Sequence, residues 1–158
     1  MRRHAIPITM SVLTLAIILL PGSVFAQDTR GVTGAGKATL PAGASLSGIS
    51  VSGLQFGLGA VIPGDGTAAG SLQATLAGKT LLGLPQTIEL TGNATNGAIN
   101  ADGSQTFSGT GTLDMGDGTA PLTNVPFAVT ASATSLLLSI GATNLPAAAI
   151  NAGTVQIQ

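Results

Sequence analysis

Asp114 and Asp117 stand three residues apart in the run Asp-Met-Gly-Asp-Gly, beside a glycine-bent turn. Two carboxylates are the minimum equipment for general-acid and nucleophile work at a glycosidic bond, and with another Asp this pair could flank one. A sugar-processing cleft also needs flat apolar platforms. Beyond residue 26 the only aromatics are Phe56, Phe107 and Phe127, and all three fall at core parity. The plainer chemistry of such aspartates is to cap backbone groups in turns. The same oxygens bear on calcium, since Asn100-Ala101-Asp102-Gly103 and Asp114–Gly118 are oxygen-rich and bent. Neither has the EF-hand spacing and no glutamate closes either loop, so an ion would need the two turns folded together. No catalytic, cofactor-binding or metal-ligating residue is assigned.

Gly31-Val32-Thr33-Gly34-Ala35-Gly36-Lys37-Ala38 has the glycines and lysine of a phosphate-binding loop. Ala38, however, stands where a Ser or Thr must hold magnesium, no apolar strand precedes it, and Pro41 discourages a following helix. Nucleophilic catalysis lacks a base. After residue 26 the chain has no His, Cys, Trp or Tyr, neither lysine follows a serine at the required spacing, and no Gly-x-Ser-x-Gly elbow occurs. The reading is a protein that is not an enzyme and carries no cofactor. Asn93-Ala94-Thr95 fits the glycosylation sequon, which matters only in a eukaryotic secretory pathway.

One surface feature remains. Thr106, Ser108, Thr110 and Thr112 occupy the parity opposite Phe107 and Leu113, so they project together from one sheet face as a tentative contact surface. A regular hydroxyl row can organise water or meet a flat polymer. It is equally what a strand needs to keep its outer side wet, because Thr is a good strand former.

Residues 1–26 have the anatomy of a secretory signal peptide. Arg2 and Arg3 form the basic n-region, Ile6 to Leu20 the apolar stretch, Pro21-Gly22 the break, and Val24-Phe25-Ala26 the cleavage site. The mature chain is then 27–158, with a leader too short to span and no membrane span of its own. It holds Arg30, Lys37 and Lys79 against six carboxylates, a net charge of −3, with no basic footprint for nucleic acid. Leu, Ile, Val and Phe make up 32 of its 132 residues, above the ~20% below which disorder is favoured. The localisation expected is secreted: extracellular, cell surface or periplasm.

The elements that must position these residues follow from an apolar period of two. Leu54, Phe56, Leu58, Ala60 and Ile62 share a parity, Pro63-Gly64-Asp65-Gly66 turns, and Leu72, Ala74 and Leu76 resume it. Ile88 and Leu90 open a strand that runs with interruptions to Ile99, Asp102-Gly103 turns, and Phe107 to Met115 return. Val125 to Ala131, Leu136 to Ile140 and Val155-Ile157 supply further strands. The change of parity between Ile49-Val51 and Leu54-Phe56 predicts a bulge or a bend at Ser52-Gly53. Inward-parity Gly109 and Gly111 fit sharp curvature or close sheet approach. Alanine-dense stretches admit a short helix at Thr80–Leu84. The fold class predicted is all-β: an antiparallel β-sandwich or small closed β-barrel of about 7–9 strands in a single β-rich domain over 27–158. Unequal turn spacing speaks against a solenoid, and the lack of aromatic girdles against an outer-membrane barrel.

In texture the sequence resembles bacterial surface and extracellular-matrix proteins, by composition and through no diagnostic motif. The function expected is therefore that of an exported non-enzymatic domain with a structural or assembly role, self-associating through strand edges such as Thr154–Gln158. The alternative is a polymer- or calcium-binding module using the hydroxyl face or the Asp-Gly turns.

Overall fold

The computed structural model describes residues 29–158, so the leader and its cleavage site lie outside the described residues. Every pairing is antiparallel. The strands are β1 (Thr29–Thr39), β2 (Ser45–Leu46), β3 (Ile49–Pro63), β4 (Thr67–Lys79), β5 (Pro85–Ile99), β6 (Gln105–Asp114), β7 (Leu122–Ala131), β8 (Ser135–Ile140), β9 (Thr143–Asn144) and β10 (Ala148–Ile157). Pairing passes from β3 through β4, β5, β6, β7 and β8 to β10, and β1 joins β10 back to β3. Eight strands thus form a ring, with β2 and β9 as short appendages. This is the predicted sandwich or barrel-like class.

The apolar parity points inward along each long strand. β3 alternates Leu54, Phe56, Leu58, Ala60 and Ile62 inside with Gln55 and Val61 outside, and β4 does the same with Leu72, Ala74 and Leu76. Outer positions are mainly hydroxyls, amides and glycines, the reverse of the polarity a transmembrane barrel needs. Among the described residues no helix is long and apolar enough to cross a membrane.

The ring is flattened until opposite walls touch. Leu54, Phe56, Leu58, Leu72 and Ala74 face Val129, Leu136 and Leu138 around a residual void of about 10 Å³, the least that one water requires. Phe107 and Phe127 meet edge to face at 6.4 Å and 81°, a favoured aromatic geometry. Phe127 lies over Gly92 of β5, where any Cβ would strike its ring.

The predicted bulge or bend is present as a bulge, a register shift between Val51 and Gly53 against β4. A second shift between Ala94 and Asn96 explains why β5 changes parity before Ile99. No helix forms at Thr80–Leu84. The segment is a tight hairpin loop closed by Thr80 N–H to Leu84 O at 2.9 Å and Gly83 N–H to Thr80 O at 2.8 Å. Gly83 has φ of +79°, and a left-handed residue there breaks a right-handed turn. β1 is a strand that the apolar period of the sequence does not mark. Its motif of three glycines and a lysine, Gly31–Ala38, is an extended strand between β3 and β10, not a phosphate loop before a helix.

Candidate functional site

The hydroxyl row of β6 gains its meaning from the neighbouring strands. Thr110 stands opposite Asn93 of β5, Asn93 opposite Ser71 of β4, Ser71 opposite Gly59 of β3, and Gly59 opposite Thr33 of β1. One register step along, Thr112 faces Thr91, which faces Gln73, which faces Gly57. Paired residues point to the same side of a sheet, so the outer wall carries two uncharged polar rows across several strands. Single-strand reasoning found only the β6 column, because the rows depend on register.

The four row members do not share one environment. Thr106 is half-buried and engaged: its Oγ1 lies 2.8 Å from that of Thr130 and accepts from Asn100 Nδ2 at 3.0 Å. Ser108 is also half-buried, whereas Thr110 and Thr112 are exposed. These two line a shallow groove of about 360 Å³ with Thr91, Asn93, Thr123 and Asn124, floored by Gly92 and Gly111. Its rim is a β-bulge. Gly111 pairs with Val125 and Leu113 with Leu122, which leaves Thr123 and Asn124 opposite Thr112 alone. Asn124 takes a left-handed φ of +57°, a conformation Asn tolerates better than most residues. The groove thus presents hydroxyls and amides with no ionisable side chain among its lining residues.

Its floor is thin for a packing reason. A Cβ on Gly111 would run into the backbone of Thr91 and Gly92, and one on Gly109 into that of Asn93 and Ala94. Of the two readings of these inward-parity glycines, close approach is therefore the one found, between β6 and β5.

The aspartate turns have one recurring design. Asp65, Asp102 and Asp117 each precede a glycine and then Thr67, Ser104 or Thr119. In each, Oδ1 accepts from the amide at 2.9 Å and from the hydroxyl at 2.6 Å two residues on. The intervening glycines have φ of +89°, +84° and +84°. Those donors, the hydroxyl foremost and then the amide, hold each carboxyl below its ordinary value. Asp114 Oδ1 accepts from Gly116 N–H at 2.8 Å.

The two turns considered for calcium lie at opposite ends of the ring, joined by the 10 residues of β6, about 30 Å apart along an extended strand. Among the described residues no three acidic or other metal-ligating side chains converge. Asp114 and Asp117 both sit at the β6–β7 end, with Oδ1 in turn bonds.

A second candidate surface is a strand edge. β10 pairs with β8 only at Ala148 and Ala149, and Ile150 N–H reaches Thr134 O at 2.9 Å. From there to Ile157 the strand has β1 on one side and no described strand on the other. Thr154–Gln158, the segment anticipated from sequence, thus has one edge engaged, closing at Gly31 and Gln158 through reciprocal bonds of 3.1 and 2.8 Å. Comparison of the chain with protein-family models, curated proteins and solved structures gives no match.

Proposed function

We propose that this chain is an exported, non-enzymatic β-domain with a structural or assembly role at the cell surface or in the extracellular matrix, and that copies associate through the free side of β10. The observation that carries this reading is that edge. Among the described strands, residues 151–157 are flanked by β1 alone, and Asn-Ala-Gly-Thr-Val-Gln-Ile contains neither charge nor proline, the devices that blunt edges. Further support comes from the filled interior and from aspartates whose oxygens serve local turns.

The test is sedimentation of the wild type against Thr154→Lys/Gln156→Lys. Both sites are exposed, and neither replacement disturbs Val155 in the core. Wild-type mass should rise with concentration and the variant should stay monomeric, because like charges meet across a two-fold strand pairing. A wild type that remains monomeric at the highest soluble concentration would sink the proposal.

A second reading is favoured by the groove at Thr91, Asn93, Thr110, Thr112, Thr123 and Asn124. Uncharged donors and acceptors above a glycine floor suit a hydroxylated polymer such as a polysaccharide. Thr110→Val/Thr112→Val keeps strand shape and removes two hydroxyls. It should abolish retention on an insoluble-polysaccharide panel that retains the wild type. Equal retention of both proteins would exclude the groove.

A further inference from the structure

The most exposed large apolar side chains among the described residues are together at one place. Leu81 is 96%, Leu82 86% and Leu84 60% exposed, all in the loop between β4 and β5. This loop is rigid at its base: besides the two backbone bonds that close it, Leu84 N–H donates to Thr80 Oγ1 at 3.2 Å. Moving a leucine side chain from water into an apolar environment is favourable in proportion to the area removed from water. Three held in water on an ordered hairpin, in a protein with a well-filled core, form a feature that wants an apolar phase.

Geometry and charge select the phase. Leu81 and Leu82 are almost fully exposed, so neither is covered by the rest of the protein. Three leucines also cover far less than the ~800 Å² per partner of a standard protein interface. A fluid hydrocarbon layer needs neither a matching shape nor that area. No charged residue occurs between Lys79 and Glu89. The connections sharing this end of the ring, 40–48 and 141–147, are uncharged, and 115–121 holds only Asp117, close to Asp114 at the end of β6. With a single lysine beside the tip, attraction to anionic lipid is not what this end offers.

We infer that the Thr80–Leu84 loop inserts Leu81 and Leu82 into the outer layer of a lipid bilayer with neutral headgroups. This contact is independent of β10 pairing and of the polar groove.

The chain has no Trp, so Leu82→Trp introduces a single reporter at the tip, and Leu137→Trp, on the outer face of β8, serves as its control. With vesicles of phosphatidylcholine, tip emission should move to shorter wavelength and be quenched by bromine-labelled acyl chains, while the control changes in neither respect. This local readout is unaffected by any lipid affinity residing elsewhere in the chain. Leu81→Ser/Leu84→Ser in the Leu82→Trp background should weaken vesicle binding about tenfold or more with an unchanged melting curve. Binding should be the same at low and high salt. A tip Trp unaltered by vesicles overturns the proposal. So does binding that requires anionic lipid, or a tip shift that follows protein concentration without lipid, which would identify a second copy as the occupant.

Discussion

Two strand glycines, Gly109 and Gly57, make a matched pair of perturbations with opposite expected signs. Neither has a left-handed backbone, so Ala is conformationally permitted at both. At Gly57, on the outer face of β3, an added Cβ has nothing within 4 Å. Gly57→Ala should therefore stabilise by about 0.4–1 kcal/mol, by restricting the unfolded chain. At Gly109 the same methyl meets the carbonyl of Asn93 and the Cα of Ala94. These are backbone atoms fixed in the β5 ladder, so relief requires the two strands to part. Overpacking costs about 1–3 kcal/mol, and a fixed backbone places Gly109→Ala near the upper end. Offsetting the unfolded-state gain, the net loss is roughly 2 kcal/mol, and the two variants should differ by roughly 3 kcal/mol. For a domain of this size that separates their melting temperatures by about 10 °C. Urea unfolding at a common m-value would give the same gap in free energy. Melting temperatures within about 2 °C of each other would refute the reasoning that glycines at inward parity mark strand contact.

Gln105 is fully buried with Oε1 unpartnered, and its Nε2 is 3.5 Å from Gln158 O. Gln105→Met should therefore hold or raise stability by about 1 kcal/mol, checked by denaturant titration; an equal loss would show that the amide is satisfied. Asn124→Gly should be nearly neutral in a thermal melt, whereas Asn124→Ala should lose about 1–2 kcal/mol to its left-handed φ. The depressed pKa values of Asp65, Asp102 and Asp117 set an acid limb. A carboxyl whose folded value lies below its unfolded value contributes stability above the latter and loses it as pH falls through the former. Melting temperature should drop below about pH 4, and replacing all three by Asn, which keeps the turn acceptor, should flatten that drop. A triple variant as acid-sensitive as the wild type would place the acid response elsewhere.

What was legible in the sequence is what side chains encode locally. β3 announces itself because each inward position carries a Leu, Phe, Ala, Ile or Val, and the bulge at Gly53 shows as a change of parity. β1 was illegible for a related reason. Its inward positions are Val32, Gly34, Gly36 and Ala38, and the two glycines are there because Val155 and Ala152 of β10 leave no room for a Cβ. Where two backbones press together, the apolar period that reveals a strand is erased by the contact that makes it necessary. The groove was hidden differently. Thr110 and Thr112 were visible as a column, but Thr91 and Asn93 join them only through the β5 register, itself shifted near Thr95. Thr123 and Asn124 join only because a bulge lifts them. Register and bulges are properties of strand pairs, so a surface made by several strands must be sought in the ladder. The leucine loop reverses the case: Leu81, Leu82 and Leu84 were plain in the sequence, where a short helix was admitted, but apolar residues signal burial only when the fold supplies something to bury against.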